Sequence, residues 1–249
     1  ATGFLGGDTG RYVASVLDRQ GVVNSFIPIE GESRTNFSIE DGTGAPPTTF
    51  NGQGPTIGLD AWSALERHVL DLAMRSRWVA IGGSAPPGLP AHPQAELLRS
   101  LKAHGHRVLI DADGPVMAEA LNDRPDLIKP NAMEAERLLG FSVQDTESAV
   151  KAAKALQERT GGEVIVSLGA QGAVLCDGKR CWVGRSPKVE ACSTIGSGDS
   201  MLGAYLWAES LGLERDEALR WGLAAGAATA MTDGSEIGRK TVIESLFEK

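Results

Sequence analysis

The chain reads as an α/β protein built on a mostly parallel sheet with helices on both faces, with one small β excursion. Three features predict this. Short apolar strands alternate with segments of helical periodicity along nearly the whole sequence. Several of those strands run into Gly- or Pro-rich loops, where open α/β sheets hold their ligands. The stretch Arg34 to Asn51 breaks the alternation: two segments of β-type patterning flank the turn formers Asp41-Gly42-Thr43-Gly44-Ala45-Pro46-Pro47. No linker or low-complexity segment divides the chain, so residues 1–249 read as a single domain with its excursion at 34–51. Such an excursion suits a lid or a dimer contact, and an added edge pair of strands is the alternative.

In chain order, Phe4 and Leu5 form a short strand that runs into the turn Gly6-Gly7-Asp8. Tyr12, Val13, Val16 and Leu17 then recur at helical spacing, and Val22 to Ile29 returns as a strand. The run Gly6-Gly7-x-x-Gly10 matches only part of a dinucleotide fingerprint. Leu59 to Arg75 is an amphipathic helix with Trp62, Leu65, Val69, Leu72 and Ala73 on one side. Strand Trp78–Ile81 ends in the loop Gly82 to Pro90. Helix Pro93–Ala103, strand Arg107–Asp111, helix Pro115–Leu121 and strand Asp126–Lys129 continue the pattern. Helices Ala132–Leu139 and Glu147–Arg159, strand Val164–Leu168 and a hairpin of Ala173–Cys176 with Cys181–Gly184 follow. The remainder is helical, including Glu214–Met231 and Val242–Phe247.

A net charge of −8 argues against nucleic acid or an anionic membrane as partner. There is no apolar run of membrane-spanning length and no signal peptide at the start, so a cytoplasmic location is expected. Cys176, Cys181 and Cys192 lack CxxC spacing. The first two bracket a hairpin loop and could face each other, but in a reducing compartment all three are expected as free thiols. His68, His92, His104 and His106 have no metal-ligand spacing.

The stretch that carries chemistry is Ser193-Thr194-Ile195-Gly196-Ser197-Gly198-Asp199-Ser200, followed by a long apolar run of helical composition. A glycine turn entering a helix leaves backbone N–H groups unpaired at the positive end of the helix dipole, which suits an anion. A carboxylate there can take a proton from a hydroxyl that attacks a phosphoryl group. The alternative is that Ser197 or Asp199 only caps the helix. Three further strand-end loops accompany it: Gly83 to Gly88, Lys129 to Glu134, and Ser167-Leu168-Gly169-Ala170-Gln171-Gly172. No GxxxxGK[ST] sequence is present, so a P-loop site is excluded.

Together these loops resemble the ribokinase-like (PfkB) carbohydrate kinases. The branch resembled acts on phosphorylated sugars and includes 1-phosphofructokinase and tagatose-6-phosphate kinase. The resemblance runs from Gly3 to about Gly234, and the branch is suggested by Gly83–Gly88, by Ser33-Arg34-Thr35-Asn36 and by Thr49-Phe50-Asn51-x-x-Gly54-Pro55. It implies an ATP- and Mg²⁺-dependent phosphotransferase acting on a hydroxyl of a ketose phosphate. In that resemblance Asp199 is the general base, and Gly196, Ser197 and Gly198 are the anion hole for the γ-phosphoryl group. Asn131 and Glu134 match an NxxE pattern that acts through Mg²⁺ and its waters, with helix capping as the local alternative. Ser167, Gly169, Gln171 and Gly172 line the nucleotide, and the Gly222–Ala230 helix, Gly226 included, flanks the adenine; tight helix packing is the other reading. Arg34 contacts the substrate's own phosphate and Ser84 faces the sugar, against the alternatives of a solvated arginine and a turn serine. A homodimer through the β lid is expected.

The sequence departs from that pattern in two ways. Ser197 stands where the GAGD motif has alanine. The family's first strand, with a sugar-holding aspartate, and its glycine-rich loop ending in Asn have no counterpart in the sequence. The alternative expectation is therefore a nucleotide-binding protein or fragment without kinase activity. A kinase for a nucleoside or an unphosphorylated sugar is a third.

Overall fold

The computed structural model describes residues 1–39, 48–89 and 93–248, which gather into two compact units. The first contains Ala1–Ser76 and Ser84–Leu101, the second Arg77–Gly83 and Lys102–Lys249.

In the first unit, β1 (Phe4–Leu5) leads to α1 (Gly7–Arg19) and then to β2 (Ile27–Pro28), which pairs parallel to β1. The expected strand from Val22 is shorter than read, because Val22 and Val23 are exposed and have no apolar surface to cover. The excursion is an antiparallel pair, β3 (Asn36–Ile39) with β4 (Thr48–Asn51), in which Phe37 opposes Phe50. The turn expected at Asp41–Pro47 lies outside the described residues. Helix α2 (Leu59–Ala73) buries Trp62, Leu65, Val69 and Ala73, a stripe at helical spacing. Helix α3 spans Pro93–Ala103, of which the residues up to Leu101 belong to this unit.

The second unit holds a six-stranded sheet with the order β10-β9-β8-β7-β6-β5. Strands β5 (Val79–Gly82), β6 (Val108–Asp111), β7 (Leu127–Ile128) and β8 (Glu163–Ser167) run parallel. Strands β9 (Ala173–Cys176) and β10 (Cys181–Gly184) complete it as an antiparallel hairpin. The helices are α4 (Gly114–Ala120), α5 (Ala132–Leu139), α6 (Thr146–Thr160), α7 (Ser197–Ser210), α8 (Arg215–Ala230) and α9 (Lys240–Phe247). Ile165 and Leu175 pack with Tyr205, Leu219 and Leu223 of α7 and α8. Their neighbours Val164, Val166 and Val174 point to the opposite face and are also fully buried. Helices therefore cover both faces of the sheet, as its uninterrupted apolar strands require.

The expectation of three free thiols is corrected. Cys176 and Cys181 are direct cross-strand partners, their Cα atoms 4.2 Å apart, and they form a disulfide; Cys192 is free and exposed. The antiparallel register brings opposed side chains this close, so pairing follows from the hairpin itself.

A buried ion cluster ties the start of the sheet to the end of α7. Glu209 is 4% exposed and accepts from Arg107 at 2.8 Å, from Arg77 at 3.2 Å and from Trp78 Nε1 at 3.0 Å. Burial opposes its charge, but the hydrogen bonds from Arg107 and Trp78 outweigh it and hold the pKa at about 2. With the folded pKa depressed below 4.5, this contribution to stability is present above pH 4.5 and lost as pH falls toward 2. Glu209→Ala should cost about 2–3 kcal/mol in chemical denaturation near neutral pH. It should also flatten the acid limb of stability against pH; an unchanged limb would contradict this account.

Candidate active site

Helix α7 begins at Ser197, and its N-cap is Gly196, whose φ of 75° only glycine adopts freely. No side chain caps this helix, so the capping reading of Ser197 and Asp199 does not describe it. Ser197 N–H bonds the Thr194 carbonyl at 3.3 Å and Ser200 N–H bonds Gly196 at 2.9 Å. Between them, the Gly198 and Asp199 amides reach no acceptor among the described residues. Asp199 is exposed in the first turn, and the buried Ser197 hydroxyl has no hydrogen-bond partner among the described residues. Open donors at a helix start with a carboxylate beside them make an anion site with a proton acceptor.

Two residues that the sequence did not single out complete this corner. Lys129, at the end of β7, is 6% exposed, and its Nζ lies 3.5 Å from Oδ2 of Asp111 at the end of β6. The same Nζ would stand 2.9 Å from a β-carbon placed on Gly198. The ammonium therefore sits against the open start of α7, in space that any side chain at 198 would take. Burial raises the pKa of Asp111 and the charge of Asp199 raises it further, against the pull of Lys129. Gly198→Ala should displace the ammonium and lower phosphoryl transfer by about tenfold or more. Steady-state kinetics of the variant would check this, and a wild-type rate would contradict it.

Asn131 and Glu134 form a full capping box on α5: Glu134 N–H donates to Asn131 Oδ1 at 2.9 Å, and Asn131 N–H donates to Glu134 Oε2 at 2.8 Å. The capping alternative is thus present, and Glu134 Oε1 remains outside the box. Burial raises the Glu134 pKa, aided by Asp113 and Asp111, against the Asn131 amide and Lys129. Among the described residues, no group of three or more His, Cys, Asp or Glu could cage a metal ion. These donors fit an Mg²⁺ ion that keeps several waters and takes phosphate oxygens, the usual habit of that ion.

Ser167 ends β8 beside this loop: its N–H donates to the Pro130 carbonyl at 3.0 Å, and it forms a bridge with Asn131. The turn Gly169–Gln171 follows, closed by Leu168 N–H on the Gly172 carbonyl at 2.8 Å. Gly169 and Gln171 are exposed, while Gly172 packs against the Gly184 carbonyl. The second unit therefore joins the 129–134 and 167–172 loops, and brings Lys129 to the start of α7. Gly226 faces the Ser197 carbonyl, where a β-carbon would come within 3.1 Å, so it serves the close packing of α8 on α7. In the first unit, Arg34 donates to Ser84 Oγ at 2.8 Å, which puts two of the expected substrate contacts side by side. A cavity of about 370 Å³ lies between α7, α8 and α9, walled by Trp207 and Trp221. Ala225, of the helix expected to flank the adenine, lines it, whereas Ser167, Gly169, Gln171, Gly172 and Gly226 do not.

Comparison with known proteins decides the class. The family model described as pfkB family carbohydrate kinase matches residues 1–241. The chain belongs to the pfkB family of carbohydrate kinases. It is 31% identical over 247 residues to the 1-phosphofructokinase of Bacillus subtilis, covering 99% of this chain and 80% of that protein. It is 34% identical over 236 residues to the 1-phosphofructokinase of Borreliella burgdorferi, covering 93% and 74%. Phosphofructokinase-2 of Escherichia coli in complex with substrates and products superposes with a TM-score of 0.91 at 27% identity, covering 100% of this chain and 81% of that one. The pfkB chain is thus a phosphotransferase with an alcohol group as acceptor, and kinases of this family use ATP. Among its described residues, no helix is long and apolar enough to cross a membrane.

Proposed function

We propose that the chain transfers the γ-phosphoryl group of ATP to a hydroxyl of a ketose phosphate, with fructose 1-phosphate the preferred acceptor. The observation that carries this reading is the start of α7, where Asp199, the open Gly198 and Asp199 amides and the Lys129 ammonium meet. Phosphoryl transfer asks for positioning and for positive charge on the transferring group more than for covalent chemistry. Asp199 accepts the proton of the attacking hydroxyl as the new O–P bond forms and the bond to the β-phosphate oxygen breaks, releasing ADP. The amides of Gly198 and Asp199, with Lys129, stabilise the oxygens of the group in flight. Ser167, Gly169, Gln171 and Gly172 hold the nucleotide, the exposed glycine letting the phosphates approach the backbone.

Mg²⁺ neutralises phosphate charge when bound, and Asn131 and Glu134 would hold its waters. Asp111 and Glu134 lie close enough to Lys129 to interact with it, as do Asp111 and Asp113 with Glu134, and several carboxylates beside one ammonium would repel a bare polyphosphate. In the first unit, Arg34 with Ser84 takes the phosphate already on the acceptor, for which a guanidinium fork is suited. The family model spans both units, which supports reading them as one catalytic domain. Phe37, Ile39 and Phe50 are more than half exposed on one face of the β3–β4 hairpin, and we assign that face to a second copy of the chain. Sedimentation at micromolar concentration should show a dimer; a monomer would refute that assignment.

The acceptor is tested by ADP release from MgATP with fructose 1-phosphate, fructose 6-phosphate and tagatose 6-phosphate. Fructose 1-phosphate should give the highest kcat/KM, and chelating the divalent ion should stop turnover. A preference for tagatose 6-phosphate would move the chain to the other branch type, and ATP binding without turnover on any sugar would favour the non-kinase reading.

A further inference from the structure

The first turn of α1 is held by the two residues that precede Arg34. Glu32 accepts from the Asp8 amide at 2.9 Å through Oε1 and from the Thr9 amide at 3.0 Å through Oε2. These bonds, Thr9 first and then Asp8, lower the Glu32 pKa and keep it ionised. Ser33 is fixed twice: its hydroxyl accepts from Gly6 N–H at 3.0 Å and its own N–H donates to the Gly6 carbonyl at 3.0 Å. Gly7 has a φ of +66°, and a β-carbon there would fall 2.1 Å from the Glu32 carboxyl carbon. The glycine pair of this turn, which the sequence offered as part of a dinucleotide fingerprint, is shaped around a carboxylate of the chain itself.

Arg34 is the next residue, and the backbone is close beneath it. A β-carbon on Gly52 would lie 2.9 Å from the Thr35 carbonyl, and one on Gly54 would lie 3.5 Å from Arg34 Cβ. Four hydrogen bonds therefore lock the stalk up to Ser33, and the guanidinium leaves from the locked end to reach Ser84. A long side chain binds well only when its root is fixed, because freedom there is lost again on binding. The open amides of a helix start also attract phosphate, and Glu32 fills those of α1 with an internal anion.

We propose that Glu32 and Ser33 form a positioning latch that fixes Arg34 for the acceptor's phosphate and keeps that phosphate off the start of α1. The inference rests on the reading of Arg34 given above. It is tested by calorimetric titration of fructose 1-phosphate onto the wild type, Glu32→Ala, Glu32→Gln, Arg34→Ala and the double Glu32→Ala/Arg34→Ala variant. Glu32→Ala should weaken binding by roughly tenfold to a hundredfold, the range for displacing a positioned group. Glu32→Gln, which keeps one acceptor oxygen, should recover part of the loss. In the double variant the Glu32 change should add nothing to Arg34→Ala, since it acts through that residue. ATP affinity should stay at the wild-type value throughout; a general loss of fold would move it. Wild-type affinity in Glu32→Ala alongside weak binding in Arg34→Ala would overturn the latch alone, as would fully additive losses. Wild-type affinity in Arg34→Ala would overturn the phosphate reading and the latch with it.

Discussion

Asp199→Asn should lower turnover by about a thousandfold or more while ATP affinity stays within about twofold of wild type. Asparagine matches aspartate in shape but cannot take a proton from the attacking hydroxyl. The helix should survive the change, because Gly196 rather than Asp199 stands at the N-cap and no side chain closes the first turn. What the fold loses is one favourable carboxylate at a helix start, worth about 0.3–1 kcal/mol. Stability and ATP binding are thereby separated from chemistry in one variant. Single-turnover kinetics beside a thermal melt would check it, and a near-normal rate would show that another group accepts the proton.

Lys129→Met should lower kcat by roughly a hundredfold or more, with weaker ATP binding. Methionine keeps most of the volume of the lysine stem, so the buried site should not collapse. The ammonium lost is the one held between Asp111 and the start of α7. Its removal also deprives Asp111 of the interaction that opposes burial and the charge of Asp199. The Asp111 pKa should then rise further. Lys129→Arg should not restore the rate, because the space beside Gly198 fits a compact ammonium and a guanidinium is broader. An unchanged kcat in Lys129→Met would remove Lys129 from the transition state.

The residues that were legible in the sequence are those whose signals are local. The NxxE spacing of Asn131 and Glu134 gives a capping box, and glycines around Ser197 give a helix entered without a side-chain cap. The alternation of apolar strands and helices gives the sheet of the second unit, because strands buried on both faces must be apolar throughout. Contacts set by strand order were not legible. Asp111 and Lys129 end two strands that are neighbours only once the order β8-β7-β6-β5 is known. In the sequence each looks like the polar end of an apolar run. Glu32 looks equally ordinary until α1 folds back to present its amides, and Glu209 until Arg77, Trp78 and Arg107 converge on it. The disulfide differs again: the hairpin is legible, but the expectation of free thiols rests on a reducing compartment, whereas Cys176 and Cys181 stand directly opposite each other across the two strands.

The central claim is that this pfkB chain makes a sugar bisphosphate. The most direct test is to incubate it with MgATP and fructose 1-phosphate and to follow both products by ³¹P NMR. The account predicts fructose 1,6-bisphosphate and ADP appearing in equal amounts, and neither appearing with Asp199→Asn. ADP appearing without the bisphosphate, or ATP bound with no product, would contradict it.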